Sequence, residues 1–290
     1  MEPGIHAGNP PGVTLPNTED VRAAIPRPPA IRAEGLAKTY AGVEVVRGID
    51  LLVRPGEVFG ILGPTGAGKS TTIAMLCALV RPTSGSLWVA GHDARTDPAG
   101  VRRSIGVVFQ SPTLDDRLTV EENLRVHAAL HGVARRRVRR RIASMLDLAD
   151  LPDLRHELVR TLPGGVRRRL EITRSLLHHP EVLLVDEPTT GLGPRDRADV
   201  WRHLRRMHRE SGTAVLVTTR RAAETDHCDR AAVLDRGRMR DLGTPVEVRS
   251  RLDDACAHLV PPPASPPSLH DVLPRHTGHG PRSQVRKSHT

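Results

Sequence analysis

Val58-Phe59-Gly60-Ile61-Leu62-Gly63-Pro64-Thr65-Gly66-Ala67-Gly68-Lys69-Ser70 is the stretch whose reading decides the fold. Its first five residues form a continuous apolar run, the pattern of a strand buried on both faces. The run enters Gly63-Pro64-Thr65-Gly66-Ala67-Gly68-Lys69-Ser70, which satisfies G-x-x-x-x-G-K-[ST], and a helix-compatible stretch follows from Lys69 to Leu79. Strand, loop and helix in series are the setting that this motif requires. Glycines let successive backbone N–H groups turn inward around a phosphate, and the helix start adds the positive end of its dipole. A glycine-rich turn without function would need none of these together.

Downstream, Val182-Leu183-Leu184-Val185-Asp186-Glu187-Pro188 sets two carboxylates at the end of a hydrophobic strand. Strand ends of an open α/β sheet gather around the ligand crevice. With Lys69 on the β/γ-phosphates of ATP and the Ser70 hydroxyl on Mg2+, Asp186 is expected to hold the ion through water. Glu187 is expected to orient or activate the attacking water, because phosphoryl transfer depends mainly on positioning and charge stabilisation. Ala214–Thr218 is a further short apolar run, and helical segments separate it from Val182–Val185, the alternation of a parallel α/β sheet. Upstream, the β-type runs Val43–Val46 and Ile49–Val53, with Gly48 between them and Pro55-Gly56 after them, predict a small antiparallel sheet. Between about Val120 and His156 the pattern is charged and helical, and Arg135–Arg141 holds six arginines and one valine. That region reads as a helical insertion with a solvated basic face.

Over roughly Ile31–Leu252 the sequence resembles the ATP-binding cassette (ABC) ATPases. The resemblance implies an α/β fold: a P-loop NTPase core with a parallel sheet, an antiparallel β subdomain and a helical subdomain at about residues 112–175. The nucleotide-binding set then comprises Gly63, Pro64, Thr65, Gly66, Ala67, Gly68, Lys69, Ser70 and Thr71. Gln110, in Val107-Val108-Phe109-Gln110, matches the family's glutamine loop, which senses the γ-phosphate and Mg2+ and couples to the membrane subunit. Tyr40, the single tyrosine, stands where the family stacks an aromatic ring on adenine. Leu162-Pro163-Gly164-Gly165-Val166 falls at the signature sequence, so Gly164 and Gly165 would present N–H groups to ATP held by a second cassette, in a homodimer or heterodimer. Within the family, Asp186–Leu192 and Pro267-Ser268-Leu269-His270-Asp271-Val272-Leu273 resemble cassettes of daunorubicin-resistance-type drug exporters. The implied activity is ATP hydrolysis that energises a separate integral membrane permease from the cytoplasmic face of the membrane.

Three positions depart from the family pattern. Pro163 replaces the signature serine, Arg220 replaces the switch histidine, and Gly193 replaces an aspartate in the loop after Gly191-Leu192. All three affect γ-phosphate sensing or dimer closure, so a cassette that binds ATP with little hydrolysis is the second reading. Arginine keeps its proton in proteins, so Arg220 is expected to place a fixed positive charge near the γ-phosphate. His227, seven residues on, reads as a solvent-facing helix residue.

Composition sets the outer bounds. The net charge is +10 and the sequence pI about 10.8, but with 43 Lys+Arg only three are lysines, a skew that GC-rich codon usage produces without any partner. A nucleic-acid role, which the charge alone would permit, is not favoured, since the chain carries a single phosphate loop. Cys77, Cys228 and Cys256 lack CxxC spacing, which gives neither a disulfide framework nor a zinc site. No stretch approaches the roughly 20 apolar residues of a membrane span, and the N-terminus lacks the layout of a secretion signal. Residues 1–29 read as a proline-rich leader, 30–252 as the ATPase domain, and 253–290 as a proline-rich, basic tail carrying the exporter-like segment at 267–273.

Overall fold

A computed structural model describes residues 28–257. All but the last two residues of the expected leader, and the exporter-like segment at 267–273, lie outside the described residues. Two sheets organise the chain. The first is antiparallel, with strands β1 (Ile31–Tyr40), β2 (Val43–Val53), β4 (Ser84–Val89) and β5 (His92–Asp93) in the order β2-β1-β4-β5. The second has the order β10-β9-β3-β8-β7-β6 and contains β3 (Val58–Leu62), β6 (Ile105–Val108), β7 (Val182–Asp186), β8 (Ala214–Thr219), β9 (Arg230–Asp235) and β10 (Arg238–Gly243). Its pairings are parallel except the β9–β10 hairpin.

Every residue of β3 and β7 is buried, as the apolar runs predict. Side chains alternate between two cores, the period-2 consequence of a pleated strand. Phe59, Ile61, Leu184 and Leu216 face the antiparallel sheet, where they meet Ile31, Leu36 and Ile49. Val58, Leu183, Val185 and Val215 face the helices α3 (Val120–Leu130), α4 (Arg135–Leu148), α5 (Gly164–Ser175) and α6 (Pro194–Ser211) and join Leu124, Ile142, Leu170 and Trp201. Each such side chain taken wholly out of water stabilises the fold by about 1.5–3 kcal/mol.

The strand register fixes where the chemistry sits. Leu62 lies level with Thr219 of β8, and Asp186 with Thr218. The carboxyl ends of β3, β8 and β7 are therefore side by side, and each delivers its next residues to one crevice. α1 (Lys69–Leu76) starts directly after the loop. The remaining helices are α2 (Pro98–Ser104), the short α7 (Ala222–Thr225) and α8 (Pro245–Ala257). α8 thus runs past residue 252, where the sequence places the end of the domain.

Two expected boundaries differ. The separate runs Val43–Val46 and Ile49–Val53 are one strand, because Gly48 adopts φ +67 and bulges the strand without ending it. The helix after the phosphate loop ends at Leu76 and not Leu79, because Ala78 turns left-handed (φ +52) and the Leu79 and Val80 N–H groups close back on the Ala74 carbonyl.

Candidate nucleotide site

The phosphate loop is positioned from both sides. Gly63 N–H donates to the Thr219 carbonyl (3.1 Å), and the Ala67 carbonyl accepts from Gly237 N–H (2.9 Å) on the β9–β10 turn. A Cβ at Gly63 would overlap the Leu234 carbonyl oxygen, and one at Gly68, which sits at φ +105, would lie 3.0 Å from the Val45 carbonyl oxygen. Both sites therefore exclude side chains. The loop opens onto a cavity of about 240 Å³ lined by Val45, Thr65, Gly66, Gly68, Lys69, Ser70, Thr71, Gln110, Glu187 and Arg220. Most of the predicted nucleotide set meets there. Gly63, Pro64 and Ala67 shape the loop from behind it.

Lys69 is 4% exposed, and its Nζ donates to the carbonyls of Gly63 (2.8 Å) and Pro64 (2.9 Å) while lying 3.1 Å from Glu187 Oε1. Burial pushes the ammonium below its ordinary pKa, and the Glu187 charge opposes that fall. Burial would raise the pKa of Glu187, but the Lys69 ammonium, the Thr190 hydroxyl and Arg220 outweigh it and hold the carboxyl below its usual range. Glu187 Oε2 accepts from Arg220 Nε (2.8 Å) and from Thr190 Oγ1 (3.0 Å). Arg220 also reaches Thr65 Oγ1 at 3.4 Å. Glu187 has φ +44, an unusual backbone for a long side chain, and its N–H donates to both the carbonyl and the hydroxyl of Thr218 at 3.1 Å. Asp186, directly before it, is 4% exposed and accepts from the same Thr218 hydroxyl. Asp186 lies behind the cavity that Ser70 and Gln110 line; all three offer oxygen donors, the chemistry that suits a hard ion such as Mg2+.

Tyr40, Gly164 and Gly165 stand apart from this cavity. Tyr40, 43% exposed, closes the β1–β2 hairpin with Lys38 Nζ 4.8 Å from its ring centre. Gly164 and Gly165 open α5 behind the N-cap residue Pro163, and a Cβ on Gly165 would sit 2.8 Å from the Asp196 carboxylate. His227 is not the solvent-facing helix residue expected: it lies in the turn after α7 and packs on Trp201 with ring centres 4.7 Å apart, since the indole offers an apolar face.

Several contributors carry no motif signal. Thr218 holds both carboxylate residues, and only the β7–β8 register brings it there. Glu224 is buried and accepts from the hydroxyls of Thr189 and Thr219 (2.6 Å to the latter), which ties the loop after Glu187 to the end of β8. Arg168 of α5 donates to the carbonyls of Phe109 (2.7 Å) and Gln110 (2.9 Å), and Glu171 accepts from Thr113 N–H (2.7 Å). The helix that begins at Gly164-Gly165 thus grips both ends of the Gln110 loop. An Arg and a Glu three residues apart in the sequence are the only trace of that link.

The fold and cavity together define a P-loop nucleotide-binding ATPase whose parallel sheet carries an antiparallel β subdomain and a helical subdomain. A family model described as ABC transporter matches residues 46–190. The "Daunorubicin/doxorubicin resistance ATP-binding protein DrrA" of Streptomyces peucetius is 47% identical over 224 residues, covering 77% of this chain and 68% of the relative. Among solved structures, cbiO1 from Clostridium perfringens, part of the ABC transporter complex cbiONQ, superposes with a TM-score of 0.72 at 27% identity over 80% of this chain and 96% of that one. The dimeric ATP-binding cassette MJ0796, in a post-hydrolysis state bound to ADP and Pi, gives 0.67 at 25% identity over 74% and 98%. The chain belongs to the ABC transporter family and is an ATP-binding, ATP-hydrolysing subunit of it. Nothing in these relatives favours the reading of a cassette that binds ATP without hydrolysing it. Among the described residues no helix is long and apolar enough to cross a membrane.

Proposed function

We propose that two cassettes, this chain with a copy of itself or with a related chain, close head to tail on ATP and Mg2+ and so drive a separate membrane permease that exports drugs or similar small molecules. The observation that carries the reading is the Lys69–Glu187–Arg220 cluster, in which two cations flank the single carboxylate of the candidate base and leave a net positive charge facing the cavity. The β- and γ-phosphates of ATP supply several negative charges and compete for Lys69, which then exchanges the Gly63 and Pro64 carbonyls and Glu187 Oε1 for phosphate oxygens. Release by Lys69 leaves Glu187 ionised beside the γ-phosphate, able to take a proton from the attacking water. Arg220 contributes fixed positive charge where the transferred group carries its negative charge. Ser70, Gln110 and Asp186 would hold Mg2+, which when bound neutralises charge on the β- and γ-oxygens.

Gly164 and Gly165 lie outside the cavity of their own chain, which supports their serving the partner's nucleotide. α5 starts without a side-chain cap, so its first N–H groups are available to an anion. Tyr40 is exposed at the hairpin and offers a face on which adenine can stack, a contact worth about 1–3 kcal/mol. The Arg168 and Glu171 bonds to the Gln110 loop support mechanical coupling, because a shift of α5 on dimer closure must move the loop assigned to the permease contact. The domain limits of 30–252, with the helical subdomain at 112–175, follow from the same reading. The drug-export assignment rests on likeness to the DrrA relative.

The test uses the Glu187→Gln chain, which binds but cannot activate water. Sedimentation of this variant should give monomer alone and dimer with Mg2+-ATP, and adding Gly164→Leu, at an exposed position where a Cβ meets only Leu192 at 3.4 Å, should abolish the dimer while leaving ATP binding intact. A Glu187→Gln chain that stays monomeric at saturating ATP, in the presence and absence of permease, would refute the head-to-tail arrangement.

A further inference from the structure

His127 and His131 stand one helical turn apart at the end of α3, and His178 follows α5 on the way to β7. One ring nitrogen from each lies within 4.8 Å of the others. The rings pack against one another, with centres 4.3 Å apart for His127–His131 and 3.8 Å for His131–His178. Two of their nitrogens, His127 Nε2 and His178 Nδ1, are buried without a hydrogen-bond partner. Buried polar atoms ordinarily find partners, and leaving one unmet costs about 1–3 kcal/mol. Two unmet nitrogens within a cluster of three imidazoles are therefore a feature that a ligand would satisfy.

We propose that His127, His131 and His178 form a binding site for a divalent first-row transition ion of the Zn2+ class, outside the nucleotide cavity. Three neutral imidazoles without a carboxylate or thiolate suit Zn2+, Ni2+ or Cu2+ and not Mg2+ or Ca2+. Burial holds His127 down at about 3 and His178 at about 4, so both rings are unprotonated and ready to ligate at neutral pH. A tetrahedral ion with bonds of about 2.0–2.1 Å sets its ligand nitrogens about 3.3 Å apart. Because imidazole binds a metal in its ring plane, the stacked His131 and His178 rings must turn about their side-chain torsions, and the nitrogens must close by up to about 1.5 Å, to reach that spacing. His178 is already oriented by its second nitrogen, since Nε2 meets the Ile105 carbonyl at 3.0 Å, the backbone contact that fixes the tautomer of many metal-binding histidines. Two opposing charges are present: Arg174, tied to the Thr113 carbonyl at 2.9 Å, lies close enough to act on His127 and His131, and Arg141 acts on His178. Two of the ligands sit on a helix of the insertion and the third is bonded to the first residue of β6, so a bound ion would clamp α3 to the edge of the core sheet.

The experiment is a competition titration of the purified, tag-free full chain with Zn2+ against a chromophoric chelator, repeated with Co2+ for its visible ligand-field bands. The wild type should bind one ion per chain with bands of a nitrogen-ligated, four-coordinate cobalt. His131 is exposed, so His131→Ala leaves the fold intact. That change should weaken binding by more than the roughly 10–100-fold that loss of an outer-shell partner costs. His178→Ala should do the same, and Arg174→Gln should tighten binding. With 15 histidines in the chain, weak Zn2+ uptake elsewhere is separable because it survives these substitutions. Binding unchanged in His131→Ala and His178→Ala, or no stoichiometric ion in the wild type, would overturn the proposal.

Discussion

Replacing Arg220 by alanine sets two consequences of one side chain against each other. Its Nε donates to Glu187 Oε2 at 2.8 Å, a contact that restrains the candidate base. Because the Arg220 side chain is 44% exposed, solvent screens this pair to at most about 1 kcal/mol. Freeing Glu187 therefore speeds the reaction by no more than about fivefold. In the proposed mechanism the same guanidinium supplies charge where the γ-phosphoryl group would develop it, and a charge-assisted contact there is worth about 1.5–3 kcal/mol. Its loss slows the reaction by roughly 10- to 150-fold, so the second effect wins. Arg220→Ala should lower kcat by about tenfold in a steady-state ATPase assay, with Arg220→Lys intermediate, because lysine keeps the charge but loses the fork. Glu187 also loses one of the charges that depress its pKa, so the acid limb of the kcat profile should move to higher pH. A kcat equal to or above wild type in Arg220→Ala would refute this reasoning and leave Arg220 as a restraint on Glu187 alone.

The other predictions follow from single contacts. Pro163 occupies the uncapped N-cap of α5; Pro163→Ser adds a capping hydroxyl worth about 0.5–2 kcal/mol and restores a possible γ-phosphate contact, so thermal stability and ATPase rate should both rise. Gly63→Ala places a methyl group on the Leu234 carbonyl, and should lower the urea midpoint and abolish ATP binding together. Arg155, then Arg125, holds the Glu121 carboxyl at about 2, against an ordinary 4.5. A depressed carboxylate stabilises fully above its unfolded pKa, so its contribution should fade as pH drops from about 4.5 towards 2, and Glu121→Gln should remove that part of the acid denaturation curve. Glu171→Gln weakens the grip on the Thr113 end of the Gln110 loop; it should spare ATP binding by the isolated chain and reduce stimulation of hydrolysis by the permease.

The legible parts of the sequence were those whose chemistry is local. A buried strand, a glycine loop, Lys69-Ser70 and the Asp186-Glu187 pair each announce themselves within a dozen residues, and β3 and β7 carry them to one crevice. What escaped depends on register and packing. Thr218 becomes the anchor of both carboxylate residues only because β7 and β8 pair in parallel with Asp186 level with it. Arg168 reaches the Phe109 and Gln110 carbonyls across about 60 residues of chain, and no periodicity foretells that. Gly48 looked like the end of a strand because a positive φ is compatible with a turn as well as with a bulge. His227 found Trp201 because a turn and α6 meet in space. The pairing of Arg220 with Glu187 likewise emerges from adjacent strand ends, although the sequence did place a positive charge in that crevice.

Magnesium-dependent ATP hydrolysis by the purified chain, measured with and without its membrane partner and beside Lys69→Ala and Glu187→Gln, tests the central claim most directly. The account predicts turnover in the wild type that requires Mg2+, with Lys69→Ala failing to bind ATP and Glu187→Gln binding it without turnover. Tight ATP binding with no hydrolysis in either setting, or hydrolysis that persists in Glu187→Gln, would contradict it.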